Sequence, residues 1–321
     1  MHNLKTGSPL KSLARACAAL CALALSVGLA ACGSSNDSSA SSDDTQMAGV
    51  TASGQLGKKP KISFHTPMQV VNNSYAVLQK GDGATIGDGD RVCTQGVSLN
   101  AKDGSEMMST WEKGTPDCSI VINKKSLNSM YYNLLKGQKI NTTVAFGVND
   151  GNKSSTSYIM ALTLVSKSKA DMRAKGEKVA DVPADLPKVT LASNGAPSID
   201  FNGYQPGGSL VAQTLIRGNG KKVTANDTVD VHYTGWVMGK DGKPSQFDSS
   251  WSKGAPVQLS LQQVVKGWTQ GLAGQTVGSQ VLLVIPPDLG YGDKAQDKIP
   301  ANSTLYFVVD LLYDYGPQQS E

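Results

Sequence analysis

The chain has 321 residues, which is enough for about two domains of ordinary size. Its 39% hydrophobic and 17% charged content is typical of a globular protein and excludes a largely disordered or fibrous chain. The formal net charge of +4 includes Lys5, Lys11 and Arg15, and no acid lies before residue 32, so residues 32–321 carry only +1. A near-neutral chain has no electrostatic footprint for nucleic acid, and we expect no nucleic-acid partner.

The first predicted element is an export signal at residues 1–31. The basic residues precede an apolar run from Ala16 to Ala31 that is too short to span a bilayer comfortably. The run ends in LAACG (29–33), which resembles the bacterial lipobox, in which the cysteine is lipidated and becomes the new N-terminus. The resemblance implies a lipid anchor at Cys32 and an extracytoplasmic protein on the cell membrane of a bacterium. An ordinary secretory signal that ends near a cysteine is the alternative.

A flexible tether is predicted next, at residues 32–58. It begins with the stretch GSSNDSSASSDDTQ, which is rich in serine and aspartate. Such a segment buries too little apolar surface to offset the entropy lost on folding. We therefore predict a disordered spacer between the anchor and the folded part of the chain.

The rest of the chain contains one pattern twice. The ordered matches are KGDGATIGDGDRV (80–92) with RGNGKKVTANDTV (217–229), WEKGTP (111–116) with WSKGAP (251–256), LLKGQKINTTVAF (134–146) with GLAGQTVGSQVLL (271–283), and SYIMALTLV (157–165) with TLYFVVDLL (304–312). An ordered set of this kind predicts two homologous domains, at residues 59–166 and 186–316. A polar linker (167–185), whose composition allows some helix, joins them, and residues 317–321 form a tail.

Each domain is predicted to be α+β. Runs of Val, Thr, Tyr and Ile alternate with Gly, Asn, Asp and Pro, as in strands joined by turns, and helical periodicity is scarce. The helix candidate of the second domain is KGWTQGLAG (266–274), where Trp268 and Leu272 share a face. Because its glycines disfavour an isolated helix, packing on the sheet must stabilise it.

The second repeat resembles an FKBP-type peptidyl-prolyl isomerase domain over residues 207–314. The landmarks stand in family order: VHYTG (231–235), FDSS (247–250), VVKGW (264–268), GYG (290–292), IP (299–300) and LYFVVDLL (305–312). The resemblance implies two FKBP-like domains, each a twisted antiparallel β-sheet wrapped around one short α-helix. In that family an apolar pocket between sheet and helix receives the substrate proline.

Carried over residue by residue, the resemblance assigns a pocket to the second domain. The implied catalytic residues are Tyr233, Phe247, Asp248, Val265, Trp268, Tyr291 and Phe307, and the implied substrate-binding residues are Val257, Val264 and Ile299. The resemblance further implies that the Val265 N–H and the Tyr291 hydroxyl bind substrate carbonyls. Two positions depart from the family: Val257 stands where a larger aromatic is usual, and Lys253 stands roughly where an arginine pairs with the aspartate.

The adjacent Phe247 and Asp248 favour a binding pocket over a plain core. A buried acid needs hydrogen-bonding partners, and we expect one from the Tyr233 hydroxyl while Phe247 contacts the proline ring. Spacing alone also allows a structural role for each residue. Trp268, Phe307 and Val264 would then be ordinary core residues, and Asp248 would cap a turn. Tyr233 and Tyr291 would be half-buried tyrosines whose hydroxyls have hydrogen-bond partners. His232 alternates away from Tyr233 and is interpreted as structural.

The first repeat lacks the corresponding site residues. Met107-Met108 replaces the Phe-Asp pair, Gln95 or Gly96 stands in place of Tyr233, and Tyr131 replaces Trp268. The loop that carries Tyr291 and Ile299 has no counterpart. We predict that the first domain keeps the fold but not the activity. It either binds peptides through a hollow lined by methionine or serves as a spacer.

Two of the five cysteines, Cys93 and Cys118, lie outside the signal and the lipobox. Outside the cytoplasm they could form a disulfide, and two buried thiols are the alternative. The family fold places them on neighbouring strands, which favours a cross-strand disulfide. The sequence has no CxxC, HExxH or His/Cys cluster, so we expect neither a metal site nor a cofactor.

The leading functional hypothesis is a membrane-anchored, extracytoplasmic prolyl isomerase that assists folding of exported proteins. Its partners would be unfolded or proline-containing exported polypeptides, and the sequence leaves the oligomeric state open. The alternative is a chaperone lipoprotein that binds such segments without useful turnover. A solute-binding lipoprotein is a third hypothesis, but it would require a larger two-lobed α/β chain, and the repeat argues against it.

Overall fold

The computed structural model describes residues 47–149 and 156–317, and this part of the chain forms two compact units, at residues 47–169 and 170–317. Both are rich in antiparallel β-sheet and contain few helices. The predicted signal peptide (1–31), the lipidation residue Cys32 and residues 318–321 of the tail lie outside the described residues.

The first unit consists of one main antiparallel sheet, a short hairpin and one helix. Its elements are β1 (Thr51–Ser53), β2 (Lys61–Ser63), β3 (Tyr75–Gln79), β4 (Asp90–Asn100), β5 (Glu106–Ser109), β6 (Asp117–Val121), α1 (Ser129–Leu135), β7 (Thr143–Val148) and β8 (Tyr158–Lys169). The strand order of the main sheet is β5-β4-β8-β7-β3, with β6 also paired to β4. Helix α1 begins after Asn128, whose side chain accepts a hydrogen bond from the Met130 N–H and caps the helix.

The second unit has a larger sheet and more helical turns. Its elements are β9 (Glu177–Lys178), β10 (Lys188–Leu191), β11 (Pro197–Asp200), β12 (Val211–Arg217), β13 (Asp227–Met238), β14 (Pro244–Ser249), α2 (Ser250–Lys253), β15 (Val257–Ser260), α3 (Lys266–Leu272), β16 (Gln280–Ile285), a 3₁₀ turn (Pro287–Leu289) and β17 (Leu305–Pro317). The order is β14-β13-β17-β16-β12-β9, with β15 also paired to β13.

The two main sheets share one topology. The succession β5-β4-β8-β7-β3 in the first unit is the succession β14-β13-β17-β16-β12 in the second, and β6 and β15 pair with corresponding central strands. The helices also occupy the same position along the chain. Helix α1 precedes β7, which pairs with the last strand β8, and α3 precedes β16, which pairs with the last strand β17. The repeated sequence pattern therefore corresponds to a repeated strand order.

The core of the second unit lies on both faces of its sheet. Alternation along β13 directs Val229, Val231 and Tyr233 towards α3, and it directs Trp236 to the opposite face. There Trp236 packs with Tyr306 and with apolar residues of the segment that includes the β10–β11 hairpin. Both faces are thus covered, which explains why β16 and much of β17 read as continuous apolar runs.

Helix α3 confirms the helix predicted at residues 266–274, and its glycines allow it to lie close to the sheet. A Cβ at Gly267 would lie 2.4 Å from Ile285 Cγ2, and one at Gly271 would lie 2.5 Å from Leu283 Cδ2. These positions are four residues apart and share a face. The glycines that weaken the isolated helix therefore permit the packing that stabilises it.

The predicted tether is too long at its C-terminal end. Residues 47–58 belong to the first unit, since β1 pairs with β2, and Met47 and Val50 are buried beside Val70 and Ile159. The serine- and aspartate-rich composition does not extend to these residues, and their apolar side chains offset the entropy of ordering.

The linker prediction also needs correction. Strand β8 continues the first unit to Lys169, and residues 170–185 contain no helix but are attached to the second unit. There β9 pairs with β12, and the Ala174 N–H donates to the buried Asp310 carboxylate at 2.8 Å. The free edge of β12 and the buried acid both require hydrogen-bond partners, and the linker supplies them.

No helix within residues 47–149 and 156–317 is long and apolar enough to cross a membrane. In the same described part, no three side chains of His, Cys, Asp or Glu come together as metal ligands.

Candidate active site

The site is formed on the α3-facing side of the second sheet, where a β-bulge decides which side chains meet. In the β13–β14 pair Gly235 lies opposite Asp248 and Trp236 lies opposite Gln246, so Phe247 is an extra residue. Adjacent residues of a regular strand point to opposite faces, but a bulge redirects one of them. Phe247 and Asp248 therefore both face the pocket, which explains their adjacency in the sequence.

Four aromatic rings form the wall and floor of this pocket. The centroid of Phe307 lies 5.5 Å from that of Phe247, 5.2 Å from Trp268 and 6.3 Å from Tyr233. Tyr233 and Trp268 meet edge to face at 5.3 Å. Such edge-to-face pairs are favourable beyond the area they bury. Because Trp268 and Phe307 are almost fully buried while Tyr233 and Phe247 are partly exposed, the cluster has a fixed base and an accessible rim.

Gly235 provides the space in which two of these rings meet. A Cβ at this position would lie 2.6 Å from both Phe247 Cζ and Phe307 Cε1. Carbon atoms at such a distance overlap, since their best separation is about 3.5–4.0 Å. The shape of the pocket therefore depends on the glycine of the VHYTG motif. The positions of the two rings explain why this residue has no side chain.

The Asp248 carboxylate is held by three donors. The Tyr233 hydroxyl bonds Oδ2, while Lys253 Nζ and the Ser249 N–H each lie 2.8 Å from Oδ1. Burial tends to raise the pKa of Asp248, but the hydrogen bonds from Lys253 and Tyr233 outweigh it and keep this pKa below its usual value. Lys253 thus supplies the cation that the family pattern places beside the aspartate.

Tyr233 is held as a neutral hydrogen-bond donor. Burial, followed by its hydrogen bond to the Asp248 carboxylate, raises the pKa of its hydroxyl above the ordinary value. Ionisation would place a second negative charge beside the first in a partly desolvated site. The hydroxyl therefore keeps its proton and orients the carboxylate throughout the neutral pH range.

The open side of the pocket is formed by the start of α3 and by the loop at residues 286–304. Val264 and Val265 pack against the core, and the Val265 N–H donates to no acceptor within the described part of the chain. The loop buries Ile299 but leaves Tyr291 39% exposed. Its ends are held together by the Asn302 N–H, which donates to the Gly292 carbonyl at 2.7 Å.

The structure brings the sequence-predicted residues together in one region. Besides the four rings, Asp248 and the α3 residues, Val257 packs partly buried against the same core, and Ile299 belongs to that core. The exposed Tyr291 is close enough to Tyr233 to affect its ionisation electrostatically. The smaller side chain of Val257 leaves its side of the pocket wider than an aromatic residue would.

Sequence reasoning missed the support behind Tyr233. Ser250 Oγ accepts a hydrogen bond from the Tyr233 N–H at 2.8 Å and lies 2.8 Å from His232 Nδ1. The His232 ring stacks on Trp251 at 4.0 Å, and burial lowers the pKa of His232 to about 4. These neighbours anchor the β13 backbone where Tyr233 leaves it. Serine in the FDSS motif was the available signal, but a hydroxyl beside a histidine has many other uses.

The first unit has a different set of residues at the same register positions. Gly96 occupies the position of Tyr233, because it pairs with Leu162 where Tyr233 pairs with Val309. Met108 occupies the position of Asp248, because it pairs with Ser98 where Asp248 pairs with Gly235. The tyrosine–aspartate pair therefore has no equivalent there. The structure joins Cys93 of β4 to Cys118 of β6 in a disulfide with sulfur atoms 2.02 Å apart.

The geometry suits binding and conformational chemistry. It combines apolar rings, one carboxylate fixed in its ionised form, and an N–H group that has no acceptor among residues 47–149 and 156–317. Near neutral pH Asp248 stays ionised and Tyr233 stays protonated, so this pair is not poised to exchange a proton with a substrate. A reaction that only rotates a bond needs no such exchange.

Comparisons with known proteins agree with this geometry. Residues 219–312 match the family described as FKBP-type peptidyl-prolyl cis-trans isomerase. FK506-binding protein 1 of Aspergillus oryzae is 45% identical over 106 residues, which are 30% of this chain and 91% of that protein. An FK506-binding protein of Streptomyces anulatus is 41% identical over 120 residues, or 36% of this chain and 94% of that protein.

A longer relative matches over a smaller share of its length. FkpA of Escherichia coli, an FKBP-type peptidyl-prolyl cis-trans isomerase, is 37% identical over 148 residues, which are 46% of this chain and 48% of FkpA. Its crystal structure matches with 38% identity and a TM-score of 0.31 over 40% of this chain and 52% of that one. From the high coverage of the shorter relatives, the chain belongs to the family of FKBP-type peptidyl-prolyl cis-trans isomerases and is an enzyme of that class.

Proposed function

We propose that the pocket of the second unit binds Xaa-Pro segments of unfolded polypeptides and accelerates their cis-trans isomerisation. The observation that carries this proposal is the four-ring cluster at the base of a partly open pocket, with the Tyr233–Asp248 hydrogen bond at its rim. The catalytic residues are Tyr233, Phe247, Asp248, Val265, Trp268, Tyr291 and Phe307, and Val257, Val264 and Ile299 contact the substrate.

The rate enhancement comes from taking the proline amide out of water. The barrier to rotation is about 18–20 kcal/mol and arises from the loss of amide resonance. Charge separation along the C–N bond is lost in the twisted transition state, so water stabilises the planar amide better than the twisted one. A pocket of aromatic rings removes that water and thereby favours the transition state differentially. No covalent intermediate is needed.

Two donors hold the peptide while its bond rotates. The Val265 N–H has no acceptor in the described structure, and the Tyr291 hydroxyl belongs to an exposed ring of the loop at residues 286–304. Both are suited to bind substrate carbonyls on either side of the rotating bond. Hydrogen bonds on both sides of the rotating bond hold the peptide in the correct orientation, which is a recognised source of rate enhancement.

The chain as a whole contains two FKBP-like domains, of which the first has lost the activity. The shared strand order of the two sheets supports common ancestry, and Met108 and Gly96 at the positions of Asp248 and Tyr233 support the loss. We assign these domains to the two compact units, which extend beyond the predicted ranges 59–166 and 186–316.

The protein acts outside the cytoplasm, tethered to the cell membrane through a lipid on Cys32, and its substrates are exported polypeptides that are still folding. The signal-like residues 1–31, the lipobox-like LAACG and the polar spacer that follows support this location. Metabolic labelling with a fatty-acid analogue should label the wild-type protein in its host cells and leave Cys32→Ser unlabelled. Equal labelling of both proteins would exclude this anchor.

The enzymatic site is tested with the full-length chain and a short proline peptide whose cis-to-trans rate is followed by absorbance. We expect Phe247→Ala, Asp248→Ala and Tyr233→Phe each to lower kcat/KM, the last by about tenfold, because it removes a hydrogen bond to a charged group. Tyr204→Phe is the matched control, since that ring packs on the opposite face of the sheet. Its rate should equal that of the wild type.

The result also separates the isomerase from the alternative of a chaperone that binds without turnover. A folded wild-type protein that binds the peptide but does not accelerate its isomerisation would favour that alternative. If all three pocket variants kept the wild-type rate, the site would lie elsewhere on the chain.

A further inference from the structure

The first unit contains an apolar hollow that has no role in the proposed reaction. It has a volume of about 90 Å³ and lies between the sheet and α1. Its apolar lining comes from strands of the sheet and from the helix and includes Met108, Tyr131, Leu135, Phe146, Met160 and Leu162. Protein interiors are normally close-packed, so a hollow of this size in a core requires an explanation.

The register shows that the hollow occupies the place of the aromatic pocket in the second unit. Met160 occupies the position of Phe307, because it pairs with Phe146 where Phe307 pairs with Leu283. Gly96 occupies the position of Tyr233. Two aromatic rings are thereby replaced by a methionine and by a residue without a side chain. The space that those rings fill in the second unit is open in the first.

The size and lining of the hollow select its occupant. An apolar cavity of about 150 Å³ takes up benzene, so a hollow of about 90 Å³ has room for a smaller apolar group, such as a valine or leucine side chain. Dry apolar cavities take up apolar groups readily, and flexible methionine side chains such as Met108 and Met160 adapt to their shape.

The polar groups around the hollow indicate that the occupant belongs to a polypeptide. They are the side chains of Thr94, Ser98, Thr110, Asp117 and Ser119. A free hydrocarbon would form no hydrogen bond with polar residues in this lining, whereas the backbone of a peptide supplies both donors and acceptors.

We infer that the hollow of the first unit is a second binding site, which takes one aliphatic side chain of an unfolded polypeptide without isomerising it. Binding there does not require proline, because no ring or carboxylate corresponding to Phe247 and Asp248 shapes the hollow. The site holds a second point of the chain on which the second unit acts. To that extent the inference rests on the proposed function.

The test uses full-length protein labelled with ¹³C at the methionine methyl groups. The probe is the proline-free peptide acetyl-Gly-Ser-Leu-Val-Leu-Ser-Gly-amide, and the control peptide has serine at the three apolar positions. The Met108 and Met160 signals, assigned from their Met→Leu variants, report on the hollow alone. We expect both signals to shift in a saturable manner with the apolar peptide and to remain in place with the control peptide.

Two variants should impair binding in the hollow in different ways. Met108→Lys places a charge in its wall. Gly96→Val adds a side chain whose Cβ would lie 2.8 Å from Leu162 Cδ2. The Leu162 side chain must then move into the hollow. Each should raise the dissociation constant at least tenfold, read from Met160, whereas Val71→Lys, at an exposed site that does not line the hollow, should change it less than twofold.

The outcomes distinguish this site from the isomerase site. Unmoved Met108 and Met160 signals at millimolar peptide, or equal effects of both peptides, would overturn the inference. So would equal weakening by Val71→Lys. The isomerisation rate of a short proline peptide should be unchanged in Gly96→Val. If that peptide were not isomerised by any form of the protein while Met160 still responded, the proposed function would fail and the binding site would stand.

Discussion

Replacing Gly235 by alanine should displace the aromatic rings that form the pocket of the second unit. The added Cβ would lie 2.6 Å from Phe247 Cζ and 2.6 Å from Phe307 Cε1. Carbon atoms prefer about 3.5–4.0 Å, so the rings must separate by about 1 Å. Phe307 is only 5% exposed and is packed against Trp268, so Phe247 has to make most of the movement.

The magnitude follows from these contacts. Overpacking of this kind costs roughly 1–3 kcal/mol of stability, and a displacement of about 1 Å at a reacting group lowers activity by about 100-fold. Isomerisation of a short proline peptide gives kcat/KM, and chemical denaturation gives the free energy of unfolding. We expect kcat/KM to fall by between 10- and 100-fold in a variant that remains folded at the assay temperature.

Gly208→Ala is the matched control, because an added Cβ there meets no atom within 4 Å. It should leave both measurements within error of the wild type. Wild-type kcat/KM in Gly235→Ala would refute the reasoning, since it would mean that the Phe247–Phe307 contact does not shape the catalytic pocket. A loss of stability without a loss of kcat/KM would lead to the same conclusion.

Three further predictions concern histidine, helix and disulfide. The pKa of His232 is about 4 in the folded state, so between about pH 6.5 and 4 the unfolded chain binds a proton that the folded chain does not. Stability should therefore fall by on the order of 3 kcal/mol as the pH drops through this window, and His232→Gln should remove that dependence in pH-resolved denaturation; an unchanged slope would contradict it. Gly267→Ala should lower the unfolding free energy by about 1–2 kcal/mol, because its clash with β16 exceeds the roughly 1 kcal/mol gain in helix propensity; a more stable variant would disprove this packing. Replacing Cys93 and Cys118 by alanine opens a loop of 25 residues and should destabilise the first unit by up to about 3.5 kcal/mol, seen as faster hydrogen exchange in β4 and β8; unchanged exchange would show that the disulfide adds no stability.

The comparison of the two units shows how one strand order supports different pockets. In the second unit, Tyr233 and Phe307 fill the space above the sheet and form a surface for a substrate. In the first, Gly96 and Met160 leave that space empty. The backbone hydrogen bonds that define the strand order do not depend on these side chains. Two units can therefore share a topology and differ in the side chains that form their pockets.

Much of the fold was predictable because its determinants are local. Strand and turn composition, the helix at residues 266–274 and the ordered repeat depend on patterns that span a few residues to one domain. The pairing of Tyr233 with Asp248 was also predictable, since a buried acid needs a donor and the family motifs place both residues in one pocket.

Other features depended on contacts between residues far apart in the sequence. The bulge that turns Phe247 and Asp248 to the same face is a property of the pairing with β13, and the need for Gly235 appears only once two rings converge on it. The ordering of residues 47–58 and the attachment of the linker to Asp310 likewise depend on surfaces that distant segments supply. The strands, the helix, the repeat and the types of residue at the site thus follow from the amino-acid sequence alone. The register, the close approaches and the empty volume of the first unit become visible only in the folded chain, because they depend on how side chains from separate strands pack together.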